Sequence, residues 1–266
     1  MKYFTTSWHD EILKFRSNLD LLKADIQPDP VHDLRVAIKK LRAYADLAGK
    51  KKESKEAAAA WISVEELFAL LGKQRDMDKG LELLPHYVDE KTTAFISAKT
   101  YFELMQMMTS GFCKTGLHHF KPENLDIITN DLQSHTEGLD EDDLGKHLVK
   151  KAKKSLDALD RKAASFKKNF HEIRKGLKTV YYWLKIAPEE ILLSKKQMNN
   201  LDGSLDLLGD IQDIHMLERN LEHFRKQLLP SEKNDHDIIL EAEKKLEKKR
   251  EGMMEKAEEK TDIFHF

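Results

Sequence analysis

Apolar residues recur along this chain every three to four positions, and no stretch shows the strict alternation of a half-buried strand. The pattern is clearest at Leu34, Ile38, Leu41 and Ala45, and again at Ile173, Leu177, Val180 and Leu184. Each set falls on one arc of an α-helix and would face a bundle core. The pattern predicts helices over residues 7–25, 30–49, 54–84, 92–109, 124–137, 142–165, 167–187, 189–228 and 233–262.

Prolines set several of the ends. Pro28 and Pro30 close one helix and open the next, with Asp29 as N-cap and Pro30 in the first helical position. Pro85, Pro122, Pro188 and Pro230 mark further breaks, and Glu189 and Glu190 suit a helix N-terminus. Residues 110–123, which include His118 and His119, read as the connection between two halves. The charged run Glu241–Lys260 is either an exposed helix with i,i+4 pairs or a partly frayed end.

Composition supports the helical reading. Only 11 Gly and 6 Pro interrupt 266 residues rich in Leu, Lys, Glu and Ala, all strong helix formers. The fold class expected is all-α. Cys113 is alone, which excludes an intrachain disulfide and a cysteine-rich zinc site and makes a reducing compartment the default. No apolar run approaches the roughly 20 residues of a membrane span, and none at the N-terminus resembles a signal peptide. A soluble, cytoplasmic protein without a membrane partner is expected.

The net charge of -2 is uninformative, but its distribution is not. Residues 31–52 hold seven Lys/Arg against two Asp/Glu, and residues 146–178 hold twelve against three. Compensating acids gather at Glu137, Asp140, Glu141, Asp142 and Asp143. A nearly neutral chain arranged in this way can still focus positive charge on one surface.

The two basic segments carry an internal repeat. Val31–Leu41 aligns with Phe170–Val180 in the pattern H-x-φ-R-x-x-φ-K, where φ is apolar: His32, Arg35 and Lys39 lie over His171, Arg174 and Lys178. A second pair follows, with Leu71-Gly72-Lys73-Gln74-Arg75-Asp76 over Leu208-Gly209-Asp210-Ile211-Gln212-Asp213. Asp76 stands 44 positions after His32, and Asp213 stands 42 after His171. Two motifs in the same order at nearly the same spacing indicate a duplicated four-helix unit. The chain is therefore expected to form one domain over 1–266. Its halves, about 1–112 and 124–266, would be related by a pseudo-two-fold axis.

Helix geometry turns the motif into a surface. His32, Arg35, Lys39 and Arg42 fall within an arc of about 80°, beside the apolar arc, and the stripe is about 15 Å long. Like charges one turn apart repel, so stability alone gives no reason to align them twice. A polyanion reverses that sign, because Arg offers two parallel hydrogen bonds to phosphate oxygens and Lys offers a point charge.

These residues resemble the CHAD family, the conserved-histidine α-helical domain, whose two signatures read approximately V-H-x-L-R-V-x-x-R-R-L-R and L-H-x-L-R-K-x-x-K-x-L-R-Y. The first is nearly complete from Val31 to Arg42, with Lys39 and Lys40 where Arg is usual. The second is recognisable from Phe170 to Tyr182 and departs at Thr179 and at Tyr181, which replaces a basic residue. Leu71–Asp76 and Leu208–Asp213 are similar to the family's L-G-x-x-R-D and L-G-x-x-Q-D segments. The resemblance implies two four-helix bundles with internal symmetry and a central basic cavity that binds inorganic polyphosphate, with association with polyphosphate granules in some members. It assigns ligand contacts to His32, Arg35, Lys39, Lys40, Arg42, His171, Arg174 and Lys178, with Arg75 and Lys175 in a supporting position.

Plainer readings stand beside each signal. Gly72 and Gly209 suit close helix packing and, without a Gly-rich loop, form no P-loop. Arg75 with Asp76 suits a local ion pair, and Asp213 suits the orientation of a basic residue. Lys146, Lys150 and Lys153 share one side of a helix, as a solvated face or as an extension of the anion surface. His32, His171, His215, Asp76 and Asp213 include metal-ligand types, but no HExxH or i,i+4 His pair occurs in the motifs, and the adjacent cations oppose a metal. The aromatic residues do not interleave with basic ones as a nucleic-acid stacking platform would. No nucleophile–base set or dense carboxylate cluster is legible, so neither catalysis nor a cofactor is expected. A metal-dependent phosphohydrolase and a helical adaptor docking an acidic protein or nucleic acid are the alternatives.

Overall fold

The computed structural model describes residues 2–48, 54–137, 140–187, 191–227, 229 and 233–259. Among these residues the secondary structure is entirely helical. The helices are α1 (Lys2–Ala24), α2 (Pro28–Ala48), α3 (Lys55–Leu83), α4 (Thr93–His119), α5 (Glu123–Thr136), α6 (Glu141–Ala163), α7 (Phe166–Ile186), α8 (Lys195–Gln227) and α9 (Lys233–Glu259). A 3-10 turn at Leu84–His86, built on Pro85, separates α3 from α4.

Local chemistry explains several starts. The side chains of Ser54, Thr92 and Asp140 accept hydrogen bonds from the backbone N–H groups of Ala57, Phe95 and Asp143, capping α3, α4 and α6. At α8, Ser194 Oγ accepts from Gln197 N, and Gln197 Oε1 accepts from Ser194 N, a reciprocal capping box. That S-x-x-Q signature sets the helix start at Lys195 rather than at 189. Pro188, Glu189 and Glu190, expected at that end, lie outside the described residues, as does Pro230. The first helix of the basic motif begins at Pro28, which takes the early position expected of Pro30, and Asp29 lies in its first turn instead of capping it.

Two expectations are corrected. Helix α1 starts at Lys2, because Phe4, Trp8, Ile12, Phe15, Leu19 and Leu22 continue one buried stripe to the N-terminal end. Helix α4 continues to His119, so residues 110–119 are not a connection and His118 and His119 form its last turn. Buried Thr109, Cys113 and Leu117, four residues apart, carry the core face through that region. Gly116 lies on the side of α4 facing α3, where a Cβ would stand 2.4 Å from Leu70 Cδ1. The residue that weakens the helical pattern is thus what lets the two helices approach. The charged α9 is helical from Lys233 to Glu259. Leu246, Ala242 and Ile239 are buried, and Glu243 accepts two hydrogen bonds from Arg225 at 2.7 and 2.9 Å.

Consecutive helices pair as α1/α2, α3/α4, α6/α7 and α8/α9. The motif helices also meet across the molecule, α2 against α7 and α3 against α8. Trp183 of α7 donates its indole N–H to the carbonyl of Ala43 on α2 at 2.7 Å, a buried bond that fixes the two basic helices side by side. Two apolar clusters form the core, and both draw on helices from before and after α5. No helix among the described residues is long and apolar enough to cross a membrane.

Candidate functional site

A cavity of about 1000 Å³ opens between α2, α3, α7 and α8. His32, Arg35, Lys39 and Arg42 reach it from α2, Arg75 from α3, and His171, Arg174, Lys175 and Lys178 from α7. Nine of the ten residues named from the sequence therefore line one space. The exception is Lys40. It follows Lys39 by 100° around the helix, which turns it away from the cavity, and its Nζ bonds Glu11 Oε1 at 2.8 Å on α1. There it anchors α2 to a nearly buried carboxylate and takes no part in the lining.

The first basic stripe rests on α3. Arg35 Nη1 donates to the carbonyl of Phe68 at 2.7 Å, and its guanidinium lies 4.2 Å from the centre of the Phe68 ring. Arg42 lies 4.0 Å from the same ring and pairs with Glu65. One phenyl group thus supports two guanidinium groups through cation–π contact. Gly72, one turn beyond Phe68, makes the room: a Cβ there would stand 2.7 Å from Arg35 Nη1. Phe68 was not anticipated from the motif, although it shares the helix face of Gly72 and Arg75.

Arg75 spans the cavity to α8. Its two terminal nitrogens donate to the two oxygens of Asp213 at 2.6 and 2.7 Å, while Asp76 is 3.8 Å away. The important partner of Arg75 is therefore 138 residues distant, and Asp213 orients a basic residue as its sequence position suggested.

The second stripe is held differently. Tyr181 stands where Arg42 stands in the first motif; burial first, then the neighbouring Asp202, raise the pKa of its hydroxyl, so the position keeps a polar group beside a carboxylate but carries no positive charge. Leu205 and Gly209 occupy the positions aligned with Phe68 and Gly72, and nothing fills the space beside Gly209. Arg174, aligned with Arg35, consequently lacks a cradle, and its Nε is buried without a hydrogen-bond partner. Among the described residues, Lys39, Arg174 and Lys178 meet no carboxylate within 4 Å, the range of an ion pair.

The charge map is two-sided. Eight Lys/Arg and six Asp/Glu line the cavity, so the lining is not cationic throughout. Asp206, Asp210 and Asp213 lie along one face of α8, opposite the cations of α2 and α7. Glu65 and Asp213 are committed to Arg42 and Arg75, and Asp46 pairs with Lys151 outside the lining.

Burial and crowding of like charge shift the titrating groups. Burial first, then Lys178, Arg35, Arg174 and Arg75, lower Lys39 to about 7. Burial, Arg174 and Arg75 lower Lys178 to about 8. His32 and His171 are also lowered, by burial and by neighbouring cations, which favours their neutral form near pH 7. Burial holds the Asp76 carboxyl above its usual value.

Lys146, Lys150 and Lys153 do not extend this cavity. They border a separate, largely apolar pocket of about 870 Å³ that includes Leu47, Leu144, Leu148 and Ile186. Their neighbour Lys151 lies over the Trp183 ring at 5.0 Å and joins α6 to Asp46. No group of three or more His, Cys, Asp or Glu side chains is arranged to hold a metal ion among the described residues.

The family model described as CHAD domain matches residues 8–222. The crystal structure of the CHAD domain from the plant Ricinus communis is similar in fold, with a TM-score of 0.72 at 17% identity. The match covers 94% of this chain and 86% of that one. No curated protein matches.

Proposed function

The chain belongs to the CHAD family, for which polyphosphate binding is a general property, and we propose that the cavity between α2 and α7 binds inorganic polyphosphate. The observation that carries the reading is the convergence of Lys39, Arg174 and Lys178, from two helices, without a carboxylate in ion-pair range among the described residues. Without a ligand this arrangement opposes folding, because each cation is partly desolvated beside others. A row of phosphates would supply the missing acceptors through charge-assisted hydrogen bonds. Arg35 and Arg42, already fixed on Phe68, would present rigid donors to the same chain.

In this reading the protein is a binding module and not an enzyme, and any association with polyphosphate granules follows from the ligand. The carboxylates of α8 give the cavity a repelling side, so a linear anion would run along α2 and α7.

Calorimetric titration with long-chain polyphosphate at two salt concentrations tests the reading. Binding should weaken steeply with salt, as expected when a polyanion releases its counterions. Orthophosphate and single-stranded DNA at matched charge should bind far more weakly. Absence of binding at low salt would overturn it.

Gly72→Ala tests the cradle. The helix gains up to about 1 kcal/mol in propensity, while displacement of Arg35 forfeits a hydrogen bond of similar worth, about 1–2 kcal/mol. Thermal unfolding should therefore change little, whereas calorimetry should show affinity reduced about three- to tenfold, the equivalent of about 0.7–1.4 kcal/mol. Unchanged affinity would remove Arg35 from the set of ligand contacts.

A further inference from the structure

We propose that polyanion binding is coupled to proton uptake by Lys39 and Lys178, so that the protein releases its ligand more readily as pH rises above neutrality. The inference rests on the polyphosphate reading of the same cavity and adds a regulatory property to it.

The geometry comes first. Lys39 lies one turn beyond Arg35 on α2, and Lys178 lies one turn beyond Arg174 on α7, both lining the same cavity. Lys39 faces Arg35 from its own helix, Arg75 from α3, and Arg174 and Lys178 from α7, and its Nζ is 5.9 Å from the Phe68 ring centre. It also acts on His32, two turns earlier on the same face of α2. Lys178 faces Arg174 from its own helix, Arg75 from α3, and Asp206 and Asp213 from α8. Asp213 is already bound through both oxygens to Arg75, which leaves little of its charge for Lys178.

Five of the eight cations of the lining, Arg35, Lys39, Arg75, Arg174 and Lys178, therefore stand together, and the one two-point ion pair in the lining among the described residues is Arg75 with Asp213. Arginine does not shed its proton in proteins, so relief of the crowding falls on the lysines. Their lowered values, about 7 and about 8, agree with that division. Without a polyanion beside them, both lysines therefore give up their protons well below the ordinary lysine range, Lys39 before Lys178.

Phosphate oxygens reverse the balance. An adjacent anion favours the ammonium form of each lysine, so the bound complex takes up protons from solution. Internal groups of a long polyphosphate are already ionised above neutrality, so the ligand does not supply these protons. The sign follows by linkage: where the complex holds more protons than its separated parts, affinity falls as pH rises. The limit is about tenfold per pH unit for each proton taken up. The effect begins near pH 7 and grows through pH 9, whereas uptake by His32 and His171 belongs to lower pH because burial and neighbouring cations hold both below the ordinary histidine value.

Calorimetry at pH 8 in Tris and in HEPES, whose ionisation enthalpies differ, counts the protons. Wild-type protein should show a heat that depends on the buffer, corresponding to uptake of about one proton or more. The double variant Lys39→Arg/Lys178→Arg keeps both charges at every pH, so its heat should be far less buffer-dependent and its affinity nearly flat from pH 7 to 9. Binding by wild type with equal heat in both buffers would overturn the coupling and leave the polyphosphate reading intact. No binding in either buffer would overturn that reading instead. NMR titration of isotopically dimethylated lysines in the ligand-free protein gives an independent readout. Two resonances titrating below pH 9 support the coupling, and all lysines titrating near 10 overturn it whether or not polyphosphate binds.

Discussion

Arg174→Ala is expected to weaken polyphosphate binding about 10- to 100-fold, the loss of one charge-assisted contact worth about 1.5–3 kcal/mol, while the helical fold survives. Arg174 has no carboxylate within ion-pair range among the described residues, and its Nε is buried without a partner. It contributes little to folding through its polar end, and its removal relieves Lys39, Lys178 and Arg75 of a neighbouring charge. Arg35→Ala is the instructive comparison. It also removes a cation from the cavity, but it abandons the Phe68 carbonyl and ring as well, so lost stability accompanies weaker binding. Calorimetry paired with thermal unfolding separates the two effects. If Arg174→Ala bound polyphosphate as wild type does, α7 would not be a ligand-bearing wall.

The contrast between the two arginines marks the limit of what the sequence could disclose. The spacing of His32, Arg35 and Lys39, repeated at His171, Arg174 and Lys178, was enough to place all six around one cavity. Helical periodicity carries that information because residues three and four apart share a face. The same rule excludes Lys40, which the family pattern admitted. The signature preserves a residue type, whereas the rotation of 100° per residue decides where it points.

What each cation touches was less legible. The bond between Arg75 and Asp213 joins residues 138 apart, and local spacing suggests Asp76 instead. The cradle depends on Phe68 and Gly72 meeting a residue from another helix, a tertiary relation with no local signature. Tyr181 departs from the family pattern by replacing a basic residue. Burial first, then the facing Asp202, raise the pKa of its hydroxyl, so the position keeps a polar neighbour, and among the described residues the cations of that half without a carboxylate in ion-pair range are Arg174 and Lys178. Helix ends followed the same division. The reciprocal cap at Ser194 and Gln197 is local and could have been read, whereas continuation of α4 past Gly111 depends on the surface that Cys113 and Leu117 pack against.

Asp213→Ala is expected to destabilise the ligand-free protein by about 2–3 kcal/mol and to tighten polyphosphate binding. Removing one partner of a buried pair costs about 3–5 kcal/mol. The figure is reduced here because the side chains of Arg75 and Asp213 keep 22% and 13% of their exposure. The loss arises because Arg75 would then stand near Arg174 and Lys178 with Asp76, 3.8 Å away, and Glu82 as its counter-charges. Phosphate could take the freed guanidinium through both nitrogens, the geometry Asp213 now uses. Urea unfolding with and without polyphosphate measures both consequences: the variant should unfold earlier alone and gain more from the ligand than wild type does. Equal stability and equal ligand-induced gain would deny Asp213 this double role. The opposed signs follow from one arrangement. The carboxylate that lets the cavity fold around its cations also competes with the anion for one of them, so stability without the ligand is obtained at the expense of affinity for it.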